Sequence, residues 1–266
     1  MSRCRTERSM ASPYYVYAVL ARETTLPAGL TGFGGAALCV VPCRALAAVT
    51  SILDSAEPSP TSENLLRHEA VVESLRSAGP ALPVRFGTVL ANQDMVTQAL
   101  AARYTVLSAD LARLGDKVEL GLAVLWDREE LADTAPSEHH ARTTDVERSP
   151  CSGPGVRYLM GHLARHRREM FWQSRASRIA QELDGMLHRY ALESRRTLLP
   201  TPRLALRATY LVEPSRVEAF REAFEEIRQA HPRLRLLLTG PWPPYSFVTP
   251  PDTLVPALSG DPLGRL

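Results

Sequence analysis

The segment Gly240-Pro241-Trp242-Pro243-Pro244-Tyr245-Ser246-Phe247-Val248 constrains the fold more than any other stretch of the chain. Its prolines remove backbone donors and fix φ, so from Gly240 onward the chain can be neither a helix nor a central strand and is expected to run as an extended tail. Proline stiffens that backbone, while Trp242, Tyr245 and Phe247 offer large apolar area at small entropic cost. Such a segment must dock. Either it lies in a groove between the chain's own domains and locks them, or it is a ligand for a partner; the intramolecular place is favoured, because exposed aromatics of that size promote aggregation.

A chain of 266 residues has room for two compact domains, and an apolar fraction of 45% with 23% charged residues is that of a globular protein. The amino-terminal half reads as an α+β domain over 14–116, preceded by a disordered tail over 1–13. Tyr14 to Leu20, Ala36 to Val41 and Ala45 to Leu53 are strand-like and predict a small antiparallel sheet. The glycine-rich stretch Gly29 to Gly35 is a flexible connection, without the helix or the motif order of a phosphate loop. Ser59-Pro60 reads as the start of a helix carrying Leu65, His68, Val72 and Leu75 on one face, and Leu82 to Gly87 alternates like a strand near a sheet edge. Asp94 caps a second helix, with Val96, Leu100, Tyr104, Leu107, Leu111 and Leu114 as its apolar stripe.

Lys117 to Trp126 is a strand that opens the second domain, expected over 117–239, and the polar stretch 127–154 is a flexible insertion within it. Val156 to about Arg196 predicts a long arginine-rich helix, broken near Gly185, with Tyr158, Leu159, Leu163, Met170, Ile179, Leu183, Leu187 and Tyr190 facing inward. Leu204 to Val212 is a strand, Pro214 to Pro232 bounds a helix with Val217, Phe220, Phe224 and Ile227 on one face, and Arg233 to Thr239 is a strand. This order is most of a modified ferredoxin-like sandwich, one strand short.

Lysine and arginine total 31 against 29 acidic residues, a balance that does not call for nucleic acid as partner. Lys117 is the only lysine, so arginine density reflects coding bias before function. Cys4, Cys39, Cys43 and Cys151 lack the spacing of a secreted disulfide framework, and neither a leader nor a membrane-spanning run is present, which points to the cytoplasm.

The candidate chemical sites are weak. His162, His166 and Glu169 share a helical face at zinc-ligand spacing, but Arg165, Arg167 and Arg168 between them repel a cation, so no metal is assigned. His68-Glu69 lacks the second histidine of a metalloprotease helix and reads as a partly buried, hydrogen-bonded histidine. Cys39 and Cys43 are packing residues. No catalytic residue and no cofactor are expected. The arginines from Arg157 to Arg196 leave an RNA-binding module as the alternative function, though the aromatic pattern of an RNA-reading sheet is missing.

Taken together, Tyr15-Val16-Tyr17-Ala18, Leu82-Pro83-Val84-Arg85-Phe86-Gly87-Thr88-Val89, Val118-Glu119-Leu120-Gly121, Gly155-Val156-Arg157-Tyr158-Leu159 and Gly240 to Phe247 resemble the GvpF/GvpL family of gas vesicle proteins, in the same order and with similar separations. The resemblance implies an amino-terminal domain of its own fold, a modified ferredoxin-like domain extended by helices, and a tail packed between them. It also implies an accessory or minor structural protein at the gas vesicle that associates with the hydrophobic shell protein or with other accessory proteins. On that basis Arg85, Phe86, Gly87, Arg157, Tyr158, Trp242, Pro243, Pro244, Tyr245 and Phe247 are the expected protein-binding or domain-locking residues, and the edge from Pro83 to Gly87 is a place where a partner strand could add.

Overall fold

The computed structural model describes residues 12–53, 58–126, 154–199 and 201–250. The expected insertion over 127–153, most of the amino-terminal tail and everything after 250 lie outside the described residues. The chain is mixed α and β, with two antiparallel sheets, and divides into two compact units. The first takes the chain up to Lys117 together with the segment from Pro243 on, and the second runs from Val118 to Trp242.

In the first unit, β1 (Tyr14–Ala21), β2 (Leu38–Cys43), β3 (Leu46–Ile52) and β4 (Ala81–Pro83) form a sheet in the order β2-β3-β1-β4, and β5 (Val89–Leu90) pairs β1 beyond β4. Every β1 residue from Tyr15 to Leu20 is buried, so the strand needs cover on both faces. Helix α1 (Ser62–Ala78) supplies one cover, packing Val71, Val72 and Leu75 against Tyr15, Tyr17, Ala18, Leu20, Ala47 and Val49. That Tyr17 and Ala18 share a cluster breaks the alternation of a regular strand, and the register of β1 on β3 shifts at that point. Helices α2 (Gln93–Ala102) and α3 (Tyr104–Leu114) pack on the same sheet through Val96, Leu100, Leu107 and Leu114.

Several boundaries differ from the sequence reading. Pro13 already belongs to the fold, its carbonyl accepting from Leu53 N at 2.9 Å. The N-cap of α1 is Thr61, whose Oγ1 accepts from Asn64 N, and not Ser59; Leu65 is exposed and Val71 takes its place on the packed face. Asn92 rather than Asp94 caps α2, and Arg103 separates α2 from α3 where one helix was expected. The strand predicted over Leu82 to Gly87 ends at Pro83, and residues 84–88 leave the sheet before β5 rejoins it.

The second unit runs β6 (Val118–Leu125), α4 (Pro154–Leu187), β7 (Glu193–Leu198), β8 (Leu204–Val212), α5 (Val217–Ala230) and β9 (Arg235–Trp242), with sheet order β7-β8-β6-β9. The strand that the sequence reading lacked is β7, hidden in the arginine-rich end of the predicted helix; α4 stops at Leu187 and passes through Gly185 unbroken. As an edge strand with one half-buried and five exposed residues, β7 has no apolar alternation by which to recognise it. The core places Leu120, Leu122 and Val124 of β6 and Trp126 just after it, with Leu206, Tyr210 and Val212 of β8, against Trp172, Ala176, Leu183 and Leu187 of α4 and Phe220, Phe224 and Ile227 of α5. Tyr158, Leu159, Leu163 and Met170, expected to face inward, are exposed: among the described side chains of α4 the buried ones begin at Trp172. Gly240 to Trp242, expected in the tail, complete the edge strand β9, where a proline is tolerated because one side of the strand needs no ladder donor.

Candidate functional site, an aromatic and histidine cluster

The sequence segments LPVRFGT and PPYSF are far apart in the chain, yet both are built onto α1. His68 is the hub. Its ring lies 5.8 Å from those of Phe86 and Tyr17, 5.7 Å from Tyr15 and 6.4 Å from Tyr245. Phe33 closes the cluster, edge-on to Tyr15 at 4.8 Å and to Phe86 at 6.1 Å. The glycine-rich stretch is therefore an ordered cover and not a loose connection: Phe33 N donates to the Tyr17 hydroxyl at 3.0 Å, and Gly32 N to Ala36 O at 2.8 Å.

The hydrogen bonds fix the tautomer that neutral His68 adopts. Its Nε2 lies 3.0 Å from the carbonyl of Val84, which can only accept, so Nε2 carries the proton. Nδ1 then accepts from the Tyr15 hydroxyl at 3.0 Å, and that hydroxyl in turn accepts from Gly87 N at 3.0 Å. The chain Gly87 N–H to Tyr15 O–H to His68, and His68 N–H to Val84 C=O, uses both imidazole nitrogens in the neutral form. Burial disfavours the imidazolium and pushes His68 down to about 4, against the opposing pull of the Val84 carbonyl. Gly87 holds φ +80°, a left-handed conformation that turns its N–H toward Tyr15.

Beside the hub, the Tyr245 hydroxyl donates to Glu69 Oε2 at 2.9 Å. Burial raises the Glu69 carboxyl above its ordinary value, partly offset by that hydrogen bond, and burial with the Glu69 charge raises Tyr245. Pro243 and Pro244 are buried and Phe247 fully so. Asp110, buried on α3, holds the end of this segment: Oδ2 accepts from Thr249 N at 2.8 Å, and Oδ1 from Thr249 Oγ1 at 3.1 Å and from Arg113 at 3.0 Å. Arg113 also donates to Phe247 O at 3.0 Å, and Arg103 to Thr249 O.

Of the residues expected to bind or lock, Phe86 and Tyr245 meet at His68, Gly87 reaches it only through the Tyr15 hydroxyl, and Pro243, Pro244 and Phe247 are in the same unit. Arg85 is exposed, and its carbonyl accepts from Thr88 Oγ1 at 2.7 Å. Trp242 stands half-exposed at the end of β9, and Arg157 and Tyr158 lie near the start of α4, all three in the second unit. The stretch expected to offer an open strand edge is already engaged: Val84 N donates to Tyr17 O, its carbonyl accepts from His68, and Thr88 O accepts from Val16 N. Sequence reasoning missed Asp110, Arg113 and Glu69. The available signal was Asp110 itself, a carboxylate between Leu107 and Leu114 on a buried helical face, which requires a partner. Among the described residues no group of three or more His, Cys, Asp or Glu side chains is placed to hold a metal, and no helix is long and apolar enough to cross a membrane.

Comparison with known proteins gives one family throughout. The profile of "Gas vesicle synthesis protein GvpL/GvpF" matches residues 13–249. Gas vesicle protein F2 of Halobacterium salinarum is 25% identical over 89% of this chain and 92% of its own length. In a Streptomyces species, gas vesicle protein F is 28% identical (88% of this chain, 98% of that one) and gas vesicle protein L 29% (88% and 91%). The crystal structure of GvpF from Anabaena superposes with a TM-score of 0.72 at 23% identity, covering 91% of this chain and 100% of that one, and GvpF from Microcystis aeruginosa with 0.72 at 22% (89% and 99%). The profile spans both units and both motif segments of the cluster, and on that match the chain belongs to the GvpL/GvpF family of gas vesicle synthesis proteins.

Proposed function

We propose that this protein is an accessory factor of gas vesicle formation, resident in the cytoplasm and at the vesicle, that acts by binding the hydrophobic shell protein or other accessory proteins. The observation that carries this reading is the family match over 13–249. The chemistry of the cluster agrees with it. His68 and Asp110, the groups nearest in type to catalytic residues, each have their hydrogen-bonding capacity occupied inside the fold, which suits architecture and not turnover. A small, strongly apolar shell subunit released into water would aggregate, so a soluble partner that covers it before incorporation has a clear physical role.

The second unit is read as the modified ferredoxin-like sandwich, on its β-α-β-β-α-β order and its strand order β7-β8-β6-β9. The segment 243–249 is read as a docked part of the first unit, held by its bonds to Glu69, Asp110, Arg103 and Arg113. Co-expression with the shell protein and the other proteins of a gas vesicle gene cluster, followed by affinity capture, tests the function. A complex with one of them is expected. Its absence, together with normal vesicle formation when this gene is deleted, overturns the reading.

A further inference from the structure

The later half of α4 borders a recess of about 400 Å³, at the lower end of the range of roughly 300–1,000 Å³ usual for binding pockets. One wall belongs to the helix: Arg175, Arg178, Ile179 and Glu182, at i, i+3, i+4 and i+7, share a face. At about 100° per residue that face is turned by roughly 100° from the core stripe of Trp172, Ala176, Leu183 and Leu187, so it flanks the packed side. The opposite wall is the end of α5 and the turn into β9, where Leu234 N donates to His231 O at 3.0 Å.

The recess is basic on one side and apolar on the other. Arg175, Arg178 and Arg233 line it against a single carboxylate, Glu182, whose Oε1 lies 3.5 Å from His231 Nε2 in the same lining. Arg196, Arg216, Arg221 and Arg228 of this unit each sit against a carboxylate, whereas among the described residues Arg178 and Arg233 enter no ion pair. Arginines that converge from two elements on one concavity focus a field on an anion, and their planar forks match a carboxylate. The apolar side is made by Ile179 and Leu234, half-buried against the core, with Ala230 and Pro232 beside them.

These two sides together select the ligand. A bare inorganic ion would leave the apolar side in water. A nucleic-acid strand calls for stacking rings along a basic track, but the His231 imidazole is the one aromatic ring in this lining, and Glu182 interrupts the track. Glu182 also repels a doubly charged phosphate more than a singly charged carboxylate. A carboxylate carried beside an apolar side chain satisfies both sides at once.

We propose that this recess is a binding site for a segment of a partner protein in which an aspartate or glutamate adjoins an apolar residue, the carboxylate meeting Arg178 and Arg233 and the apolar side chain covering Ile179 and Leu234. The proposal rests on the reading of this chain as a protein-binding factor and names a site and the chemistry it recognises.

The test uses the full-length protein and three short peptides with blocked ends: one alternates leucine with glutamate, one has glutamine in place of glutamate, and one has glycine in place of leucine. The leucine–glutamate peptide is expected to bind at least about tenfold more tightly than either of the others in fluorescence anisotropy, and to shift the methyl resonances of Ile179 and Leu234. Arg178→Gln with Arg233→Gln should lower that affinity about tenfold and flatten its salt dependence, whereas Glu182→Gln should leave it equal or raise it. Both arginines are exposed, so unchanged far-ultraviolet dichroism and unfolding midpoint are expected. Arg178→Lys with Arg233→Lys, which keeps the charge and loses the planar fork, should bind with intermediate affinity. Equal affinity for the three peptides, binding indifferent to the arginine changes, or resonance shifts confined to other residues overturns the proposal. So does binding of acetate, inorganic phosphate or oligouridylate in this recess as tightly as the peptide, which would assign it to a free anion or to nucleic acid. Affinity capture of co-expressed gas vesicle proteins separates the two readings. Capture by both wild type and the glutamine variant removes the recess and leaves the function standing; capture by neither, with normal vesicles when the gene is deleted, removes the function, and the peptides still decide the recess.

Discussion

The Tyr245 hydroxyl donates to Glu69 Oε2 at 2.9 Å, joining residues 176 positions apart in the sequence. Glu69 is half-buried and its carboxyl is raised by desolvation, so the tyrosine is the donor that keeps a partly desolvated carboxylate solvated from within. Tyr245→Phe removes that donor and keeps the packing against His68. A loss of about 1–2 kcal/mol is expected in urea denaturation, in the range of a hydrogen bond to a charged group. Glu69→Gln, which still presents a carbonyl acceptor, should cost less, and a double-mutant cycle should give a favourable coupling. Additive effects would show that the pair contributes nothing beyond contact.

How much of this could be read from the chain depends on which residues carry periodic signals. The strong strands β1, β3, β6 and β8 and the apolar face of α5 were legible, because apolar and β-branched runs sit where both faces or one whole face are buried. The edge strand β7 was not, since Glu193 to Leu198 are almost all exposed and arginine-rich. Local signals also misled at the ends: Ser59-Pro60 looks like a helix start, but Thr61 Oγ1 is the group that reaches Asn64 N. For the cluster, the two motif segments were visible as unusual, and His68 as a hydrogen-bonded core histidine. Their convergence was not, because which side chains meet across 53 positions, as Tyr15 and His68 do, is decided by strand register and not by spacing.

The neutral His68 gives stability a pH dependence. The imidazole is lowered from 6.5 to about 4 in the folded protein, so between those values the unfolded chain binds the extra proton and the native one does not. Stability is fully present above about pH 6.5 and is lost as the pH falls toward 4, by up to about 3 kcal/mol at 1.36 kcal/mol for each pKa unit. Glu69, raised by burial, acts in the opposite direction at the lower end of that window. Urea denaturation at successive pH values from 7.5 to 4.5, a range set by the ordinary histidine value, should show a falling midpoint in the wild type. His68→Gln should be less stable at neutral pH and should flatten the slope. An unchanged slope in the variant would assign the pH dependence to other groups.

Asp110 holds the end of the 243–249 segment through Thr249 and Arg113. Asp110→Ala leaves the Thr249 N–H without this acceptor and Arg113 without this counter-charge, but both partners are exposed and water can replace the carboxylate. A destabilisation of about 1–2 kcal/mol is expected, in the range of hydrogen bonds to a charged group. Hydrogen exchange supplies the specific readout: amides of 247–249 should lose protection before those of β1 and β3. Asp110→Asn, which keeps an acceptor for Thr249 N, should fall between the two. If the exchange of 247–249 does not change, Asp110 is a packing residue and the segment is held by its aromatic side chains.

Two glycines of the second unit should respond to alanine with opposite signs. Gly240 in β9 has φ +103°, and a Cβ there would lie 2.7 Å from Glu119 O and 3.1 Å from Trp242 N, both backbone atoms that cannot swing away. Gly240→Ala combines a left-handed backbone with a steric clash and should destabilise the protein by about 2–3 kcal/mol, with β9 shifted on β6. Gly185, inside α4, has nothing within 4 Å of an added Cβ and sits in a helix that runs on to Leu187. Gly185→Ala therefore reduces the freedom of the unfolded chain without native strain and should stabilise by about 0.5–1 kcal/mol. Denaturation midpoints of the two variants moving to opposite sides of the wild type are the expected outcome. A neutral Gly240→Ala would mean that the β9 end relaxes around the side chain.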